Sequence, residues 1–195
     1  ALLVERYPVL REMQANQSYA SLLSSPFYIN LIVSKIKSID NINDENQLRE
    51  AIWSNVICAK DKACEYGISN TDIEESVTGI VFKRACDFSL GLPVHTISDN
   101  IRALLLSEGV IIESNNLIRL KYDIFEDICF ERYFDEKFIS CRGDFAKFIE
   151  EIESLGRCVY RRYQIWISNK IFTKDSREKF LYHLIFSPNM PKIWH

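Results

Sequence analysis

Residues 96–134 read TISDNIRALLLSEGVIIESNNLIRLKYDIFEDICFERYF, and the order of their periodicities decides the fold. The Ser98 hydroxyl can accept from a free backbone amide, and Ile101, Leu104 and Leu105 recur behind it at helical spacing, which predicts a helix starting there. Gly109 stops that helix, because glycine alone takes the left-handed cap conformation without strain. Val110–Glu113 and Leu117–Tyr122 are short β-branched and apolar runs on either side of Ser114-Asn115-Asn116. Asparagine tolerates the positive φ of a tight turn, so the two runs read as a hairpin. From Asp123 the helical period returns in Ile124, Phe125, Ile128, Phe130 and Phe134. Helix, hairpin and helix in this order make a winged-helix unit.

Upstream, Leu2–Met13 is a short apolar-periodic segment interrupted by Pro8, and Ser24-Ser25-Pro26 precedes the apolar run Phe27–Val33. Proline at a helix start is preorganised and lacks only an amide that would go unpaired, so Pro26 opens a helix. That helix is apolar over most of its circumference and must be buried or cover something. The polar run Ile39–Asn46 is turn-prone and marks a connection. Gln47–Tyr66 places Leu48, Ile52, Trp53, Val56 and Ile57 on one helical face, ending near Gly67. Thr71-Asp72-Ile73-Glu74 resembles a capping box and opens a helix over Ile73–Leu90, broken by Gly91-Leu92-Pro93. Downstream, Asp144–Leu155, Arg157–Phe172 and Asp175–Phe186 are amphipathic helices joined by short turns. They look like the start of an α-helical, solenoid-like arm.

The chain has 195 residues, 47% hydrophobic and 26% charged, with net charge −3, which is globular composition. Its basic residues are dispersed, so there is no electrostatic footprint for nucleic acid or an anionic membrane. No apolar run approaches the roughly 20 residues that span a bilayer, and the expectation is a soluble, cytoplasmic protein. Cys58, Cys64, Cys86, Cys129, Cys141 and Cys158 are isolated in sequence, with neither a CxxC pair nor a cysteine-histidine cluster. They read as buried free thiols in a reducing compartment. The sequence begins at Ala1 rather than methionine, which suggests a piece of a longer protein.

Few residues here could carry chemistry. A phosphate-binding loop needs clustered glycines and a lysine, and the six glycines are scattered. Glu74-Glu75, Glu126-Asp127 and Glu150-Glu151 are adjacent in sequence, so a helix points each pair apart and they read as solvated faces. His95, His183 and His195 are far apart. A recognition helix over Ser98–Glu108 would offer Asp99, Asn100, Arg102 and Glu108, with almost no positive excess to offset repulsion from a duplex. DNA binding is disfavoured, as is a self-contained active site.

The segment GVIIESNNLIRLKYDIFEDICFERYF resembles the winged-helix domain of STAND-class NTPases, relatives of the NACHT and NB-ARC ATPases. Those proteins show a hairpin, a hydrophobic-His-Asp signature and an amphipathic helix. LLSSPFYINLI looks like the helical lid that follows their ATPase core, where a proline lies against the adenine. The resemblance implies a mainly α chain: a helical lid over 1–46, a winged-helix domain with one β-hairpin over 47–138, and a helical arm over 139–195. It places Pro26 at the lid proline and Asp123 at the signature aspartate, with Tyr122 where the family has a diphosphate-touching histidine. These three are the implied nucleotide-binding residues. Tyrosine donates one hydrogen bond but carries no positive charge at neutral pH, so Tyr122 departs from the pattern. Independently of any ligand, Asp123 is suited to cap the following helix. The implied role is regulatory: the winged helix closes over ADP or ATP held by the ATPase core of the same polypeptide, while the arm senses a protein ligand. Opening leads to oligomerisation and signalling, in bacterial relatives often for antiviral defence. The chain alone is expected to bind no nucleotide, because it lacks the phosphate-binding loop. The alternatives are a winged-helix DNA-binding regulator and a nucleotide-independent helical scaffold.

Overall fold

A computed structural model describes residues 7–15, 19, 23–35, 44–142, 144–172 and 182. The fold is mainly helical with one small antiparallel sheet. The chain forms two compact units, one built from residues 1–77 and 97–110 and the other from 78–96 and 111–195. The expected helix over Asp175–Phe186 lies outside the described residues, apart from Tyr182.

The first unit begins with α1 (Pro8–Gln14) and α2 (Pro26–Lys35), each opened by a proline as the fixed φ of that residue favours. Tyr28, Leu31 and Ile32 of α2 are buried. Asp44 caps α3 (Glu45–Ala51) by accepting from the Gln47 amide at 2.8 Å. The expected continuous helix differs in two ways: α3 widens into a π-helical turn over Ile52–Ile57, and the helix is interrupted at Cys58-Ala59. Ile52, Trp53, Val56 and Ile57 are all buried there. Positions i, i+1, i+4 and i+5 share a face in the wider turn as well as in an α-helix, so the periodicity alone could not separate the two. The break falls at Ala59, whose φ of 46° is left-handed. The short α4 (Lys60–Ala63) and a 3-10 turn, Cys64–Tyr66, end at Gly67.

Helix α5 (Asn70–Cys86) starts in the first unit and belongs to the second from Thr78 onward. Its start is fixed by Ser69, whose hydroxyl accepts from the Asp72 amide at 3.1 Å, and not by the Thr71 capping box. Glu74, the acid of that box, instead accepts from Trp53 Nε1 at 3.0 Å and pairs with Lys60. Helix α6 (Asp99–Ser107) is capped by Ser98 as expected and buries Ile101, Leu104 and Leu105.

In the second unit, β1 (Leu92–Pro93), β2 (Ile111–Ser114) and β3 (Leu117–Leu120) form a sheet in the order β1-β3-β2, all antiparallel. The hairpin closes through Asn115 and Asn116, with φ of 53° and 60°. Two left-handed residues are what a type I′ turn requires. The third strand was not foreseen, since Gly91-Leu92-Pro93 reads as a breaker. Proline is tolerated there because β1 is an edge, and a Cβ at position 91 would stand 3.0 Å from the Ile118 carbonyl oxygen. Helix α7 (Asp123–Ser140) follows the hairpin, then α8 (Phe145–Glu153), a 3-10 turn over Gly156–Val159, and α9 (Tyr160–Phe172). Phe145, Phe148, Ile149 and Ile152 line the buried stripe of α8. Phe134 of α7 is the hub of the aromatic core, with ring centroids 6.4 Å from Phe148, 6.4 Å from Tyr163 and 5.8 Å from Trp166. Trp166 also donates from Nε1 to the partly exposed Asp135 at 2.9 Å, so its polar edge is satisfied at the margin of this core.

Candidate functional site

Tyr122 and Asp123 stand where β3 passes into α7. Tyr122 takes the extended N-cap position, with φ −128° and ψ 133°, and Asp123 is the first helical residue. Asp123 therefore does not cap the helix as anticipated, because its own backbone has already entered the helix. Its exposed carboxylate still lies in the first turn, where the helix dipole favours negative charge. Tyr122 is 39% exposed, and its ring packs edge-on against Phe125 with centroids 5.4 Å apart. The Lys121 ammonium lies 5.3 Å from the Tyr122 ring centroid. One tyrosine, one lysine and one aspartate thus share an exposed helix entrance. Pro26 occupies the exposed first position of α2 in the other unit.

The structure also reveals charge clusters that sequence reading missed. Glu126 is the buried acid of the second unit, 2% exposed. Arg84 of α5 pairs with its Oε1, and Arg162 of α9 donates to its Oε2 at 2.9 Å. Arg162 also stacks over Phe130 at 4.5 Å. The solvated-face reading of Glu126 is therefore overturned, because two guanidinium groups replace the water that a carboxylate needs. The signal lay in the spacing: Glu126, Phe130 and Phe134 are four residues apart and share a helix face. Burial pushes the neighbouring Asp127 carboxyl upward, against the pull of Arg162. In the first unit, Glu108 at the end of α6 accepts from Lys35 at 2.9 Å and pairs with Lys62. Burial pushes its carboxyl up, but the bonds to Lys62 and Lys35 prevail and hold it below the ordinary 4.5.

The side chains that a recognition helix would present are committed within their own unit. Arg102 pairs with Asp99 at 2.8 Å, and Asn100 donates to the Tyr66 carbonyl at 3.3 Å. The six thiols divide in a way the sequence did not suggest. Cys58, Cys129 and Cys141 are buried, Cys158 is half-buried, and Cys64 and Cys86 are exposed. Burial pushes the Cys129 thiol up to about 12, which makes it unreactive at neutral pH. Among the described residues, no helix is long and apolar enough to cross a membrane. Comparison with known protein families and with curated proteins finds no match.

Proposed function

We propose that this chain is the regulatory portion of a STAND-class ATPase, closing over ADP or ATP bound by an ATPase core of the same polypeptide. The observation that supports it most is the hairpin exit: β3 leads directly into α7 through Lys121-Tyr122-Asp123, with Tyr122 exposed where the family places a histidine. A phenolic hydroxyl can donate to a phosphate oxygen but cannot neutralise it. In this reading the Lys121 ammonium, 5.3 Å from the Tyr122 ring centroid, supplies the charge that the histidine would otherwise carry. Tyrosine and lysine divide one residue's work between hydrogen bond and cation.

In this mechanism the ADP-bound state is closed, and a protein ligand engaging the helical arm favours the open state. Each ligand shifts the equilibrium only by its differential affinity for the two states. ATP then replaces ADP, and the open protein oligomerises and signals, with antiviral defence as the proposed setting. The test is calorimetry of ADP binding to the full-length protein. Tyr122→Phe and Lys121→Ala should each weaken binding by about tenfold, the equivalent of about 1.4 kcal/mol for one charge-assisted contact. Unchanged affinity in both variants would remove the site from the mechanism. The chain alone should show no micromolar ATP affinity, and such affinity would refute the division of labour.

A further inference from the structure

Two thiols that stand 72 residues apart in sequence meet in the second unit. The Cys86 sulfur, at the last residue of α5, lies 3.4 Å from the Cys158 sulfur in the 3-10 turn that precedes α9. Both face the same acceptor, the Leu155 carbonyl oxygen, 3.7 Å from Cys86 and 2.9 Å from Cys158. A covalent S–S bond is roughly 2.05 Å long, so small side-chain rotations would close the remaining gap. Cys86 is exposed and Cys158 half-buried, so one member of the pair is open to a reagent and its neighbour is placed to respond. The other thiols of this unit, Cys129 and Cys141, are buried.

We infer that Cys86 and Cys158 form a reversible dithiol–disulfide site, oxidised by a low-molecular-weight disulfide. The Cys86 thiolate attacks one sulfur of that disulfide, forming a mixed disulfide and expelling the first small thiolate. Cys158, having lost its proton to solvent, attacks the Cys86 sulfur. The Cys86–Cys158 bond forms as the second small thiolate leaves and takes up a proton. Two protein thiols are oxidised, and one small disulfide is reduced to two thiols. The direction of attack follows from the surroundings. Burial, reinforced by the adjacent Cys86, pushes the Cys158 thiol up to about 11, so the exposed Cys86 is the entry point, and Cys158 gives up its proton once Cys86 has become the mixed disulfide and no longer raises it. The bond would tie the end of α5 to the start of α9, the two helices that supply Arg84 and Arg162 to Glu126.

The test is exposure of the folded protein to oxidised glutathione, an acid quench, intact mass and non-reducing peptide mapping. The expected result is loss of two hydrogen atoms with a Cys86–Cys158 peptide pair, reversed by dithiothreitol. In Cys158→Ser the reaction should stop at the Cys86 glutathione adduct, which accumulates about tenfold above its level in the unaltered chain. In Cys86→Ser the hydrogen loss should vanish. A glutathione adduct persisting on Cys86 of the unaltered chain, or a Cys86 link to Cys64 or to a second copy, would overturn the proposal.

Discussion

The ends of α5 and α6 obey opposite halves of the same rules. Both close with paired backbone bonds into the last turn: Phe88 and Ser89 bond to the Ala85 and Arg84 carbonyls in α5, and Gly109 and Val110 bond to those of Leu106 and Leu105 in α6. This arrangement requires a left-handed residue just past the helix. Helix α6 supplies glycine there, at φ 68°, but places the acid Glu108 against the negative end of its dipole. Helix α5 has the favourable charges, Lys83 and Arg84, in its last turn but puts Phe88 at φ 50°. Each breach is offset differently. Lys35 and Lys62 neutralise Glu108, whereas at the exposed Phe88 the turn is held by the backbone bonds of Phe88 and Ser89 to the Ala85 and Arg84 carbonyls. Arg84 in turn is committed to Glu126. Local rules are thus broken where an ion pair from elsewhere in the unit, or the hydrogen bonds of the turn itself, compensate.

The largest expected effect comes from removing the acid that holds Arg84. Glu126→Ala leaves two guanidinium groups without their buried counter-ion and should lower unfolding stability by about 3–5 kcal/mol in a urea titration. A loss below about 1 kcal/mol would mean that water, or for Arg162 the neighbouring Asp127, satisfies the arginines. The cap positions should then respond with opposite signs. Gly109→Ala should cost about 1 kcal/mol, and Phe88→Gly should stabilise by about the same amount, since Phe88 is 79% exposed and little burial is lost. Destabilisation by Phe88→Gly would show that the phenyl ring does more than cover the turn.

The smallest effect belongs to Glu108, whose lysine partners are 35% and 42% exposed. Glu108→Gln should cost about 0.5–1 kcal/mol at neutral pH and low salt, and less as salt rises. Because the folded carboxyl is held below its ordinary 4.5, its contribution is present above that pH and is lost as the pH falls through the lowered value. The melting temperatures of the unaltered chain and the variant should therefore converge in acid. A gap that stayed constant down to the acid limit would mean that the lysines do not hold Glu108.

Much of the architecture was legible from local chemistry. Ser98 caps its helix because a short polar side chain satisfies a free amide, and the Asn115-Asn116 turn follows from the tolerance of asparagine for positive φ. The end of α5 was not legible, since nothing marks Phe88 as a residue that will go left-handed. The break at Ala59 was hidden for the same reason. At the candidate site, Pro26 at a helix start and Tyr122-Asp123 at the hairpin exit were readable, although the cap fell to Tyr122 and not to Asp123. Lys121 beside the Tyr122 ring became visible only once the rings and ammonium groups had positions.

Residue order by itself determined the mainly helical class, the central hairpin and the apolar faces, because capping, turn chemistry and periodicity act over a few neighbouring residues. Only the tertiary structure decided which arginines reach Glu126 and which thiols meet. Arg84, Glu126 and Arg162 come from three helices, and Cys86 and Cys158 from the end of one helix and a distant turn. Side chains so far apart along the chain have no local signature, since the free energy that brings them together is the burial of other residues.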